Sequence, residues 1–172
     1  MSINTQVLLR SRPKGKPARD NFEIVETEIP DLIENQILTR TIYLSLDPYM
    51  RGRMSDARSY AEPVSIGNVM VGGTVGIVEK STNDKFKVGD IVLTHTGWQS
   101  HAICDGRGVR KLDPASAPIS TALGVLGMPG MTAFVGLKNI GLPVKGETLV
   151  VAAATGPVGS AVGQIARIHG CR

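Results

Sequence analysis

Thr148-Leu-Val-Val-Ala-Ala-Ala-Thr-Gly-Pro-Val-Gly-Ser-Ala-Val-Gly163 reads as a buried strand that runs through a glycine turn into a helix. Residues 149–154 are uninterruptedly apolar, which suits a central parallel strand covered on both faces. Gly156 and Gly159 have the spacing of the last two glycines of a G-x-G-x-x-G fingerprint, with Ala154 in the first position. A residue without Cβ at 156 lets backbone amides approach a pyrophosphate at the positive end of the next helix, and Gly159 lets that helix press on the strand. Val158, Ala161, Val162, Ile165 and Ala166 recur at helical spacing and form one apolar stripe. Pro157 falls in the first turn, and Gly170 stands where a C′ glycine ends a helix. The pattern is that of a dinucleotide-binding turn. The alternative is a strand–turn–helix whose glycines serve only tight packing.

Upstream the pattern is different. Residues 6–9 and 22–25 read as short strands. Residues 36–46 read as a longer strand with neither face purely polar, hence covered on both sides, and Asp47-Pro48 ends it. Residues 69–78 form a valine-rich strand bent at Gly72-Gly73. Residues 91–94, 98–104 and 108–112 are further strands. Short strands punctuated by glycine and proline predict a small barrel or sandwich. From about Ala115 the signal becomes helical, over 117–126 and 131–137, with Met128-Pro129-Gly130 as a break between them.

The 172 residues carry 19 Lys and Arg against 15 Asp and Glu, a modest net charge of +4. The basic cluster Arg10, Arg12, Lys14, Lys16 and Arg19 is broken by Pro13, Gly15 and Pro17 and lacks interleaved aromatics. It reads as a solvated loop rather than a nucleic-acid surface. No apolar run approaches the roughly 20 residues of a membrane span, and the N-terminus lacks signal-peptide architecture. Cys104 and Cys171 are too few for a disulfide framework. The expected setting is the cytoplasm.

Three stretches then carry a family resemblance: Leu44-Ser-Leu-Asp-Pro-Tyr-Met-Arg51, Gly127-Met-Pro-Gly-Met-Thr132 and Ala152-Ala-Ala-Thr-Gly-Pro-Val-Gly159. Together they resemble the zinc-independent branch of the medium-chain dehydrogenase/reductase superfamily. That branch contains leukotriene B4 dehydrogenase/prostaglandin reductases, plant alkenal double-bond reductases and bacterial curcumin reductases, the last type being the most similar. The resemblance implies an α/β chain. Residues 1–125 would be a β-rich GroES-like barrel, the catalytic (substrate) domain. Residues 126–172 would be the first strand–turn–helix of an incomplete Rossmann nucleotide-binding domain. Members are longer, so the chain reads as an N-terminal fragment of a reductase, inactive alone and homodimeric when whole. The implied reaction is NADPH-dependent reduction of the C=C bond of an α,β-unsaturated aldehyde or ketone, in which hydrogen-bond donors stabilise the enolate.

By the same resemblance Gly156, Pro157, Val158 and Gly159 form the pyrophosphate turn, while Met128, Pro129, Gly130 and Thr132 lie beside the nicotinamide. Tyr49, Met50 and Arg51 line the substrate cleft, Tyr49 as a phenol donor to the carbonyl, and Tyr60 sits in a lid over residues 55–62. Each has a plainer reading: a helix break at 128–132, a core tyrosine at 49, and, for Arg51 and Arg53, pairing with Asp47 and Asp56 in place of contact with cofactor phosphate. His95, His101 and Cys104 invite a zinc check. The positions that hold zinc ligands in other superfamily members correspond here to Leu46-Asp47-Pro48 and Gly67-Asn-Val-Met70, so no metal is expected. Two other functions compete: an NADPH quinone reductase, and a non-catalytic GroES-like association module.

Overall fold

The computed structural model describes residues 3–172, which fall into two compact units, one running to Pro114 and the other Ala115–Arg172. The division comes where the strand-rich pattern ends, ahead of the 125/126 boundary drawn from the sequence. In the first unit β1 (Ile3–Leu9) and β2 (Phe22–Glu28) form an antiparallel hairpin registered from Leu9 opposite Phe22 to Ile3 opposite Glu28. The connecting loop carries the basic cluster. Five further strands follow: β3 (Ile37–Leu44), β4 (Thr74–Ser81), β5 (Ile91–Thr94), β6 (His101–Cys104) and β7 (Arg110–Leu112). They make an antiparallel sheet in the order β6-β3-β4-β5-β7.

The hairpin is stitched to this sheet through β1. Val7 donates to the Trp98 carbonyl at 2.9 Å, Ser100 to Thr5 at 2.9 Å and Met70 to Val7 at 3.0 Å. Two apolar clusters fill the unit. Ile37, Val78, Phe86 and Val92 form one, and Leu9, Met50, Met54, Val64 and Met70 the other, with Phe22, Tyr49 and Trp98 packed against it. Each fully buried aliphatic side chain contributes about 1.5–3 kcal/mol. The expectation for β3 holds in its first half, where consecutive Ile37, Leu38 and Thr39 are all buried. It fails in the second half, where Ile42 and Tyr43 are exposed and neither belongs to the two apolar clusters. The backbone at Gly72 comes close to Leu44, Met50 and Trp98, so that a Cβ there would stand 2.9–3.2 Å from all three.

The second unit departs further from the sequence reading. Residues 117–126 give only a 3-10 turn, Ile119–Leu123. The Met-Pro-Gly stretch is the first turn of a helix and not a break, since α2 spans Met128–Val135 and continues into π-type turns over Gly136–Gly141. A proline in the first turn lacks only an amide that the helix would not use. Residues 149–154 do not form a strand. A parallel strand exists only by pairing with neighbours, and here the Leu149 amide donates to the Arg172 carbonyl (2.7 Å) and the Gly156 amide makes a turn bond to Ala153 (3.0 Å), neither of them a strand partner. Val150 is accordingly 90% exposed.

The helix that follows, α3 (Pro157–Ile168), matches expectation: Ala161 and Ala166 of the stripe are buried, and Val158, Val162 and Ile165 partly so. It ends in a Schellman arrangement, with Gly170 at φ +78, its amide on the Arg167 carbonyl (3.0 Å) and the Cys171 amide on Ala166 (3.0 Å). α2 packs against α3.

Candidate active site

At the stretch expected to line a substrate cleft, the chain leaves β3, is tied at Ser45 to the Gly73 carbonyl (2.9 Å), and turns at Asp47-Pro48 into the five-residue helix α1 (Tyr49–Arg53). Proline is pre-set for a helix entry. Met50, 3% exposed, plugs α1 into the Leu9–Met70 cluster, and Met54 does the same one turn later. Tyr49 and Arg51, on either side of Met50, are thereby turned away from the deepest core and are both partly exposed.

Tyr49 packs against the cluster while the residue remains partly exposed. Its pKa is raised above the usual tyrosine value, first by burial, then by the Asp47 carboxylate, with Tyr60 adding to the rise and Arg53 opposing it. The group is therefore a neutral O–H donor throughout the physiological range. Tyr60 lies in the irregular stretch 55–62 and is 87% exposed. The Arg51 guanidinium is engaged: Nε and Nη2 donate to the Gly15 carbonyl (3.0 and 2.9 Å) and Nη2 to the Pro13 carbonyl (3.1 Å). Asp56 is approached by Arg12 at 3.7 Å, a partner the sequence reading did not name. Arg53 Nε is buried and has no hydrogen-bond partner.

The residues expected on the cofactor side lie in the second unit. Gly156 is the N-cap of α3, and Pro157 and Val158 open the helix. A Cβ at Gly159 would run into the Ala153 carbonyl, and would stand 3.0 Å from Ala154 Cα, so this glycine brings the turn against the helix. At Gly156 the nearest atom would be Ala153 O at 3.3 Å. The Val158 and Gly159 amides have no carbonyl four residues back within the helix, and the first turn contains no acidic side chain. Those two features fit a diphosphate, with Pro157 contributing no donor. On α2, Met128 and Thr132 are exposed, and the Thr132 hydroxyl donates to the Met128 carbonyl at 2.8 Å. A Cβ at Gly130 would collide with the Val125 carbonyl, so this glycine serves close packing within the unit.

The histidine region is held by its own network. His101 Nδ1 lies 3.1 Å from Ser100 Oγ and Nε2 lies 3.5 Å from Glu79, which also pairs with Arg40 at 2.6 Å. Burial pushes the Cys104 thiol up. No group of three His, Cys, Asp or Glu suited to a metal occurs among the described residues, nor does a helix long and apolar enough to cross a membrane.

Comparison with known proteins places this arrangement. Residues 5–112 match the N-terminal domain of oxidoreductase. The chain is 54% identical over 169 residues to NADPH-dependent curcumin reductase of Escherichia coli (strain K12), covering 98% of this chain and 49% of that protein. It is 44% identical to rat (Rattus norvegicus) prostaglandin reductase 1, covering 95% and 49%. The crystal structure of CurA in complex with NADPH from Vibrio vulnificus superposes with a TM-score of 0.92 at 56% identity, covering 98% of this chain and 50% of that one. The chain thus spans about half the length of the curated relatives it matches. It belongs to the oxidoreductase family defined by that N-terminal domain, in the zinc-independent branch of the medium-chain dehydrogenase/reductase superfamily.

Proposed function

We propose that these residues are the substrate-side and first cofactor-side portions of an NADPH-dependent reductase of α,β-unsaturated aldehydes and ketones. The observation that carries the reading is Tyr49, a half-buried phenol kept protonated at the mouth of α1. It is joined by the similarity to curcumin and prostaglandin reductases.

NADPH, when bound, supplies the hydride for the β-carbon. The Val158 and Gly159 amides hold its diphosphate at the start of α3, and Met128 and Thr132 present the face of α2 beside the nicotinamide. For the latter the Thr132 hydroxyl keeps its lone pairs free, since its proton is already given to Met128. Tyr49 donates to the carbonyl oxygen of the enone, where negative charge accumulates during reduction. A preorganised neutral donor suits this, because it stabilises the oxyanion without reorganising. Met50 fixes the wall beneath the substrate, Arg51 fixes its flank, and Tyr60 covers it from the 55–62 segment. Residues 126–172 open the nucleotide-binding domain, the whole enzyme is a homodimer, and the free thiols of Cys104 and Cys171 fit the cytoplasm.

The test is NADPH oxidation by a chain of the relatives' full length, with 2-alkenals, curcumin and a quinone compared. Conjugated enones should turn over, and Tyr49→Phe should lower kcat by roughly a hundredfold or more with NADPH affinity unchanged. Turnover confined to the quinone, or an undiminished kcat in the variant, refutes the assignment.

A further inference from the structure

We propose that Arg12 and Arg51 form a reciprocal latch between the basic loop and α1, and that both are positioning residues for the Tyr49 phenol. This rests on the enone-reductase reading for its catalytic consequence, but not for its structural content.

A helix of five residues has no stability of its own, and α1 has no side-chain cap. Met50 and Met54 hold only its buried side. The opposite hold comes from residues far away in sequence. Arg51 reaches from α1 to the Pro13 and Gly15 carbonyls with three hydrogen bonds. Arg12 reaches from the loop to the Met54 carbonyl at 2.9 Å, where α1 ends, and approaches Asp56 at 3.7 Å. Each guanidinium thus satisfies backbone acceptors of the other element.

The loop is firm enough to serve as the anchor, because Asn21 closes its neck. The Asn21 carbonyl accepts from the Arg10 (2.8 Å) and Ser11 (3.2 Å) amides. Its side chain accepts from the Ala18 amide at 2.8 Å and donates to Ser11 Oγ at 3.0 Å. Gly15, at φ +79, adopts the left-handed turn of the loop tip with open space around it. Arginine suits the task because its planar fork serves two carbonyls at once, which a lysine ammonium does less well. Tyr49 lies two residues before Arg51 on the same turn, so the pitch of α1, and the depth of the phenol, depend on the latch.

The experiment is an alkaline titration of phenolate absorbance on this chain, which contains three tyrosines. Tyr49→Phe assigns the Tyr49 component. In Arg51→Ala and Arg12→Ala its midpoint should fall toward the ordinary value of about 10 as burial is lost. Arg51→Lys should lie between. The direction is diagnostic, since loss of a nearby cation alone raises a tyrosine pKa. Trp98 fluorescence reports whether each variant keeps the fold of the first unit. In a chain of the relatives' length, kcat for an enone should drop about ten- to a hundredfold while KM for NADPH stays put. An unchanged Tyr49 midpoint in both alanine variants overturns the proposal, as does a lowered midpoint with undiminished kcat. Absence of enone turnover in the unmodified enzyme counts against the functional reading alone, because the titration decides the latch without it.

Discussion

Two glycines of α3, Gly159 and Gly163, should respond to the same substitution in opposite ways. In a helix interior Gly→Ala gains about 1 kcal/mol from propensity. At Gly163 a Cβ meets nothing within 4 Å, so Gly163→Ala should realise that gain in full. At Gly159 the new methyl would overlap the Ala153 carbonyl and stand 3.0 Å from both Ala153 C and Ala154 Cα. These are backbone atoms and cannot swing aside, so overpacking costs about 1–3 kcal/mol. Set against the same propensity gain, Gly159→Ala should cost between about 0 and 2 kcal/mol. The two variants therefore differ by about 1–3 kcal/mol although the chemistry is identical. Native-state amide exchange across α3 is the suitable assay, because it reads this helix apart from the first unit. Protection should rise about fivefold in Gly163→Ala and fall, or at best hold, in Gly159→Ala. Protection in Gly159→Ala as high as that in Gly163→Ala would show that the turn does not press on the helix as described, and would remove the packing account of that glycine.

Ile37→Ala should destabilise the first unit by about 2–5 kcal/mol, because Ile37 is fully buried beside Val78 and Val92; a urea midpoint by Trp98 fluorescence that barely moves would contradict this. Asp90 is held below the usual carboxylate range, first by its bond to Lys111 (2.6 Å) and then by the Lys87 amide (2.8 Å). A lowered folded-state pKa gives stability that is present above the unfolded value of about 3.9 and lost as pH falls through the folded one. The Tm gap between the unmodified chain and Asp90→Asn should thus close below about pH 4, and a gap constant to pH 2 would be inconsistent with it. With Tyr49 as donor, the alkaline limb of kcat in the full-length enzyme should lie above about pH 10 and be absent from Tyr49→Phe. Val150, Ile168 and Ile140 are 90, 84 and 81% exposed, and the chain should self-associate through the second unit; light scattering showing a monomer over a wide concentration range, with Val150→Lys no different, would exclude this.

What the sequence disclosed was what is decided locally. β5 is bounded on both sides by turn residues and appears at Ile91–Thr94 as read. The ends of α3 were legible because Pro157 and Gly170 act through their own backbone, one by lacking an amide and the other by entering the left-handed region. The same proline logic misleads at 128–130, where Pro129 reads as an interruption but occupies a first helical turn. Residues 149–154 were apolar enough for a strand, but a strand is made by neighbours, and apolar composition alone carries no information about them. The site divides along the same line. The turn at Tyr49 was legible because a strand end and Asp47-Pro48 announce it. The loop contact of Arg51 was not, since Pro13 and Gly15 precede it by 38 and 36 positions and no periodicity links them.

The cofactor turn shows why a fingerprint and a packing motif are hard to tell apart by sequence. Gly159 is required by the Ala153 carbonyl whether or not a ligand binds, so its presence supports both readings equally. Gly156 differs. Its φ of −72 is open to any L-residue, and a Cβ there meets one atom at 3.3 Å, a contact that a small shift relieves. The fold makes only a weak demand for glycine at 156, whereas a diphosphate lying on the Val158 and Gly159 amides needs that space clear. Gly156 is accordingly the position whose identity speaks for binding. Substituting it with alanine should leave α3 protection close to that of the unmodified chain. With valine, the branched side chain should abolish tight NADPH binding in the full-length enzyme, while the same change at Gly163 should leave it intact. Tight binding retained by a well-folded Gly156→Val enzyme would return the whole turn to a packing role.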